Sequence, residues 1–298
     1  MNRRRLLLSG SSIPTPYSAW SLRKVNPNYT GAAIQVRRGI DNAVMNIGFV
    51  GNDLDVATLL SFVGSGNGYV RSLYDQYDSR HFREDIATSS QPQIVSNGTL
   101  ITQNGNPAML FDGSNDGLSI SSSNGLFNFL HNDKGTIAVV VRYGNSANPN
   151  VNYTVISNAV NFSNQTGFVL DYFDFPPTND SFYFSSYRGV SGQPATLLGT
   201  GNTIAANTQT IQTVAVDNQN AIAAERAIGY VNDQFVIKNN IYTNAPNMGN
   251  ASNVLILGHS PAGSGYFLKG TVQEVIIWDK KLDGIAVNNY INQYWGVY

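Results

Sequence analysis

The chain has 298 residues, a net charge of −1 and 12% charged residues, so neither nucleic acid nor an anionic membrane surface has an electrostatic claim on it. Cysteine is absent, which excludes disulfides, thiolate metal sites and cysteine nucleophiles. Glutamate is confined to Glu84, Glu225 and Glu274, whereas Asn, Gly, Tyr and Phe are abundant, a composition of turns and strands rather than helices.

Residues 1–16 read as an extended arm closed by Pro14 and Pro16. Its apolar run is three leucines, short of a signal-peptide core and far short of a membrane span. Arg3, Arg4, Arg5, Leu6, Leu7 and Leu8 form a basic peg suited to anchoring on another subunit; the alternative is a solvated tail. Without cysteine or a signal, the chain reads as a product assembled in a bacterial cytoplasm. "GAAIQVRRG" alternates, with Ile34 and Val36 on one face, as a half-buried strand does. "NDLDVATLLSFVGSGNG" predicts a short helix over 53–63: Asp53 as N-cap, Val56, Leu59, Leu60 and Val63 as its stripe, Gly64 as its stop. "GYVRSLYD" follows as a strand.

From about residue 93, short strands recur between Gly/Asn turns, including "PAMLFDG", "GTIAVVVRY", "GFVLDYF", "TIQTVAVD", "NVLILG" and "GTVQEVIIWD". This pattern predicts an antiparallel sandwich. "GTIAVVVRY" is continuously apolar and belongs at the centre of its sheet, and "AIGYVNDQFVIK" reads as a hairpin around Asn232-Asp233. "LDGIAVNNYINQYWGVY" predicts a terminal helix capped by Asp283, with Val287, Tyr290, Ile291 and Tyr294 on its apolar face. No linker or repeat divides the chain, so 17–298 reads as one all-β domain.

The densest polar and aromatic run is "YVRSLYDQYDSRHF", residues 69–82. Tyr74, Asp75, Tyr77, Asp78 and His81 are candidate glycan or partner contacts; the competing reading has Asp75 and Gln76 satisfying the backbone of a turn while Tyr74 and Tyr77 pack on the sheet. "DYFDFPPTNDSFYF" gathers Tyr172, Phe173, Phe175 and Tyr183 near Tyr187, either to stack on sugar rings or to alternate between core and surface. His81, His131 and His259 lack any ligand spacing, so no zinc site is expected. No cofactor is implied, except that Asp112 and Asp116 in "FDGSNDG" are a pair that could hold calcium instead of making an Asp-Gly turn. "GSGNG" (64–68) follows a helix, the wrong context for a phosphate loop.

"AWSLRKVNPNYTGAAIQVRRGIDNAVMNIGF" with "LYDQYDSR" resembles the opening of the family 54 α-L-arabinofuranosidase catalytic domain. The second half, with "IGYVNDQFV", "LILGHSP" and "GTVQEVIIWDKKLDGIAVNNYINQYWGVY", resembles laminin-G-like, concanavalin-A-like jelly rolls. Both resemblances imply one fold, a jelly-roll sandwich. Chains with an N-terminus similar to "RRRLLLSG" also occur among virion proteins of tailed phages, particularly those of Bacteroidota. The resemblance implies a catalytic Glu on a mid-sheet strand and an Asp after a strand ending in Gly. Here the matching positions carry Ser185, Ser186 and Tyr187, and His259, Ser260 and Pro261. A hydroxyl cannot replace a nucleophilic carboxylate without other activation. The expectation is therefore a non-catalytic virion component (capsid decoration, fibre or tail), multimeric, assembled in the host cytoplasm. Its arm would hold other virion subunits and its sandwich, with His259 among the candidate contacts, would meet host-surface polysaccharide. The alternatives are an arabinofuranosidase-like glycoside hydrolase and a free-standing carbohydrate-binding module.

Overall fold

Stretches that alternate, or run apolar between Asn/Gly turns, form strands, and each pairing between them is antiparallel. The structure is a computed structural model that describes residues 13–83, 87–144, 151–160, 165–174, 181–188, 195–198, 204–238, 249–261 and 266–298. The principal strands are β1 (Ser18–Ser21), β2 (Ile34–Arg38), β3 (Val44–Ile47), β4 (Gly68–Leu73), β5 (Phe82–Arg83), β6 (Gln93–Ser96), β7 (Met109–Asp112) and β8 (Leu118–Ile120). They continue as β9 (Lys134–Tyr143), β10 (Val151–Ser157), β11 (Thr166–Asp174), β12 (Ser181–Arg188), β13 (Ala195–Leu198), β14 (Gln209–Asp217), β15 (Ala227–Val231), β16 (Gln234–Lys238), β17 (Leu255–Leu257) and β18 (Lys269–Trp278). The helices are α1 (Val56–Val63), α2 (Phe129–Asn132) and α3 (Gly284–Trp295).

One layer runs β16-β15-β14-β9-β18 and then divides its last edge: β1 pairs with the C-terminal half of β18 and β7 with the N-terminal half. From β7 the bonding continues through β6, β4 and β2 to β3. The second layer is β8-β17-β10-β11-β12-β13. Strand β5 joins the layers, bonding β4 on one side and β8 on the other. This is a jelly-roll sandwich. Central β9, paired on both edges, is buried from Gly135 to Val141, as its unbroken apolar run requires. Across the core, Tyr143 of β9 stacks on Tyr172 of β11, ring centroids 4.6 Å apart, and Trp20, Trp278 and Trp295 are fully enclosed.

The terminal helix is capped by Asp283, whose carboxylate accepts the amides of Ile285 and Ala286, and it buries Val287, Ile291 and Trp295. The first helix begins later than its sequence pattern indicates. Asp55, not Asp53, is the N-cap, accepting the Thr58 amide at 3.0 Å. Asp53 lies in extended backbone, and its carboxylate accepts the Tyr294 hydroxyl at 2.5 Å. Residues Ile13–Pro16, at the end of the expected arm, lie on the body: Ile13 packs against the core and the Trp278 indole donates to the Pro14 carbonyl at 2.9 Å. Arg3 to Leu8 fall outside the described residues. No helix among the described residues is long and apolar enough to cross a membrane.

Strand β1 is held by a buried charge pair. Glu274, in the middle of β18, accepts the Ser21 hydroxyl at 2.6 Å, Arg23 Nε at 2.6 Å and a second Arg23 nitrogen at 2.9 Å. Arg23 lies between the rings of Tyr290 and Tyr294 of α3, 5.2 and 5.3 Å from their centroids. One ion pair thus joins the first strand, the last strand and the terminal helix. Glu274→Gln leaves Arg23 buried without a counter-charge and is expected to lower stability by about 3–5 kcal/mol. Urea unfolding checks this; a change below about 1 kcal/mol, as for an exposed pair, contradicts it.

Candidate functional site

The run at 69–82 folds into a staple. Asp75 is fully buried; its Oδ1 accepts the amides of Ala19 and Tyr77, both at 3.0 Å, and its Oδ2 lies 3.6 Å from Arg80 Nε. Burial raises its pKa despite those bonds and the nearby Arg80. Gln76 accepts the Val25 and Asn26 amides and donates to the Arg23 carbonyl. Arg80 donates to Ser18 Oγ and the Tyr17 carbonyl, stacks on the Tyr17 ring and pairs with exposed Asp78 at 2.6 Å. His81 Nδ1 accepts the Asp75 amide at 3.0 Å, and burial lowers its pKa. The Tyr74 hydroxyl donates to Asn46, and Tyr77 packs against the core. These groups meet, but the polar atoms named here tie the segment after β4 to β1, to the loop that follows β1 and to β3.

The positions matched to the arabinofuranosidase catalytic pair are enclosed. Ser185, Ser186 and Tyr187 of β12 are buried. Asp171, which the sequence reading did not single out, is also buried, opposite Tyr183 in the β11–β12 register. Tyr172 is a core residue, stacked between Tyr143 and Tyr153. Phe175 lies outside the described residues. His259 is buried, with Nδ1 2.7 Å from the Ser260 carbonyl oxygen and its ring against Phe267. A Cβ added at Gly117 would come within 2.2 Å of the His259 ring, so that glycine lets the imidazole seat there. The space left beside His259, Gly117 and Ser90 is about 80 Å³, far below a sugar site.

A wider opening lies elsewhere. A groove of about 700 Å³ crosses the outer face of β2, β4, β6 and β7. Its floor is a row of register partners: Arg37 opposite Tyr69, Tyr69 opposite Gln93, Gln93 opposite Leu110. Four strands at about 4.8 Å spacing make this row roughly 14 Å long. Arg37, 8% exposed, stacks on the Tyr69 ring at 4.6 Å and donates to the side chains of Gln91 and Asn42 and to the Thr88 carbonyl. Gly66, Asn67, Ser89 and exposed Ile40 complete the walls together with Asp112 and Asp116.

Asp112 and Asp116 form one turn. Asp112 Oδ1 accepts the amides of Ser114 and Asn115, and Asp116 Oδ2 accepts the Asp112 amide at 2.9 Å. Burial raises the Asp116 carboxyl to about 7; the Asp112 amide opposes this and the Asp112 charge adds to it. No third carboxylate or histidine joins them in a metal-holding group among the described residues. The sequence offered these two aspartates as an Asp-Gly turn or a calcium pair but held no sign that they border the Arg37–Leu110 row.

No protein-family model matches the chain, and no curated protein does. Solved structures do match. A family 54 α-L-arabinofuranosidase soaked with a cyclic sulfate inhibitor covers 93% of this chain at 12% identity and TM-score 0.62. A glutamate-to-glutamine mutant of a family 54 enzyme, soaked with 4-nitrophenyl α-L-arabinofuranoside, covers 93% at 13% identity and TM-score 0.63. An arabinofuranosidase complexed with arabinofuranosyl-α-1,2-xylobiose covers 95% at 12% identity and TM-score 0.59. The chain spans 62–63% of the length of these structures. The likeness establishes a common sandwich fold.

Asp116 sets a pH test. Its folded-state pKa near 7 exceeds an unfolded value of about 3.9. Its contribution to folding is therefore fully present below about pH 4 and is lost as pH rises through about 7. Asp116→Asn is expected to gain stability relative to wild type between those limits and no further above about pH 8. Urea unfolding across this range checks it; a constant difference contradicts it.

Proposed function

We propose that this chain is a non-catalytic sandwich that binds glycans through the outer groove. The observation that carries this reading is the contrast between two places. The positions where the family resemblance puts catalytic carboxylates hold buried Ser185, Ser186, Tyr187 and His259, while an open groove of ligand size lies across β2, β4, β6 and β7. Retaining glycosidases set two carboxyl groups about 5 Å apart, flanking the bond to be cut. Asp112 and Asp116 border the groove from one turn, and Asp116 is held by the amide of Asp112 itself. That arrangement suits holding a sugar from one side.

The proposal extends to a place in a tailed-phage particle, where many weakly binding copies would act together. This part rests on the resemblance of the N-terminal segment and on the seating of Ile13–Pro16 beside Trp278, from which Arg3–Leu8 would reach another subunit. A second reading, a glycoside hydrolase, is favoured by one observation: a carboxyl raised to about 7 beside an exposed carboxylate in an open groove.

Incubation with 4-nitrophenyl α-L-arabinofuranoside and with cell-wall polysaccharides is expected to release no nitrophenol and no reducing sugar. Release that disappears in Asp116→Asn would replace the binding reading with the hydrolytic one. Immunogold labelling of purified particles is expected to decorate them; unlabelled particles remove the virion part and leave the glycan-binding part standing.

A further inference from the structure

Resting on the glycan-binding reading, the geometry points to an uncharged saccharide as the ligand of the outer groove, held by donors from Arg37, Gln93 and Asn67 and by the carboxyl groups of Asp112 and Asp116. Arg37 is nearly buried, and its three hydrogen bonds go to neutral oxygens: Gln91 Oε1, Asn42 Oδ1 and the Thr88 carbonyl. No carboxylate pairs with it among the described residues, and two of its five N–H groups are left over from those bonds. The 112–116 turn brings negative charge to the same groove. An anionic sugar drawn to Arg37 would also meet the exposed Asp112. A cationic one drawn to the aspartates would meet Arg37. A hydroxyl avoids the conflict, because it donates to a carboxylate and accepts from a guanidinium or amide at once.

The floor fits the rest of a sugar. Tyr69 and Leu110, both half-buried, offer apolar surface to ring C–H groups between the polar positions, and the Tyr69 ring is fixed by the Arg37 stack. The walls stay close because Gly39 carries no side chain: a Cβ there would lie 3.2 Å from the Asn67 carbonyl oxygen and 3.3 Å from the Tyr69 ring. A row roughly 14 Å long has room for a short oligosaccharide rather than a single ring.

A glycan array tests this. It would carry xylo-, arabino-, gluco- and galacto-oligosaccharides beside galacturonan, sialylated and sulfated oligosaccharides, probed with the full chain and with Tyr69→Ala, Gln93→Ala and Asp112→Asn. Each variant is first checked by thermal melting, and any that does not melt like wild type is set aside in favour of the others. The expected result is binding confined to uncharged glycans, weakened at least tenfold in the folded variants and unchanged between about 50 and 500 mM salt, since no net charge pairing drives it. Binding confined to charged glycans, or falling steeply with salt, overturns the assignment of ligand class and leaves the glycan-binding reading intact. Undiminished binding by the folded variants overturns the groove. Binding to none of the glycans overturns both.

Discussion

The carboxylate of Glu274 is the interaction on which the rest of the molecule depends. It is buried, where an unpaired charge costs several kcal/mol, and Ser21 and Arg23 are placed to avoid that state. Arg23 supplies the counter-charge, Ser21 an additional donor, and Tyr290 and Tyr294 close over the guanidinium. Because Arg23 must reach Glu274, β1 is fixed along β18. Because β1 is fixed there, its free backbone groups need partners on the other side: the Asp75 carboxyl accepts the Ala19 amide, and the Gln76 amide donates to the Ala19 carbonyl. The crowd of polar and aromatic residues at 74–81 is thus the outer half of a structural seam. A run that looks like chemistry in one dimension is, in three, a means of burying the first strand of the sandwich.

The same logic separates the closed face from the open one. A jelly roll can host enzymes, lectins and structural modules, so its function resides in the side chains at its openings. Where the family resemblance calls for an acid, His259 is seated against Gly117 and Phe267, and the residual space is a fraction of a sugar's volume. Where the sheet is open, Arg37, Tyr69, Gln93 and Leu110 line up across four strands. A cation, an aromatic ring, an amide and an aliphatic side chain in one row, bordered by two carboxylates, form a mixed surface that hydroxyl-rich ligands satisfy better than singly charged ones.

Much of the architecture was legible in the sequence. The unbroken apolar run of β9 gave its central place, Asn232-Asp233 gave the β15–β16 hairpin, and Asp283 gave the start of α3. These signals are local, and local chemistry settles them. The error at α1 is different in kind: Asp53, read as the cap, is held in extended backbone opposite Val50 and accepts the hydroxyl of Tyr294, far along the chain, while Asp55 caps the helix. Strand β3 gave little signal, since Val44, Met45 and Asn46 are all exposed and mark no buried face. The groove was invisible because its floor joins one residue from each of four strands. That alignment depends on register shifts at Gln35/Val36 and Gly68/Tyr69, which no periodicity in the chain announces. Asp112 and Asp116 were conspicuous by spacing, but their relation to Arg37 is purely tertiary.

The most direct measurement is a crystal structure of the chain soaked with a mixture of neutral oligosaccharides. The account predicts saccharide density lying across the Arg37–Tyr69–Gln93–Leu110 row with every glycosidic bond intact. Density seated beside His259 or beside Ser185 and Ser186 instead, or a cleaved product in any of these places, would contradict it.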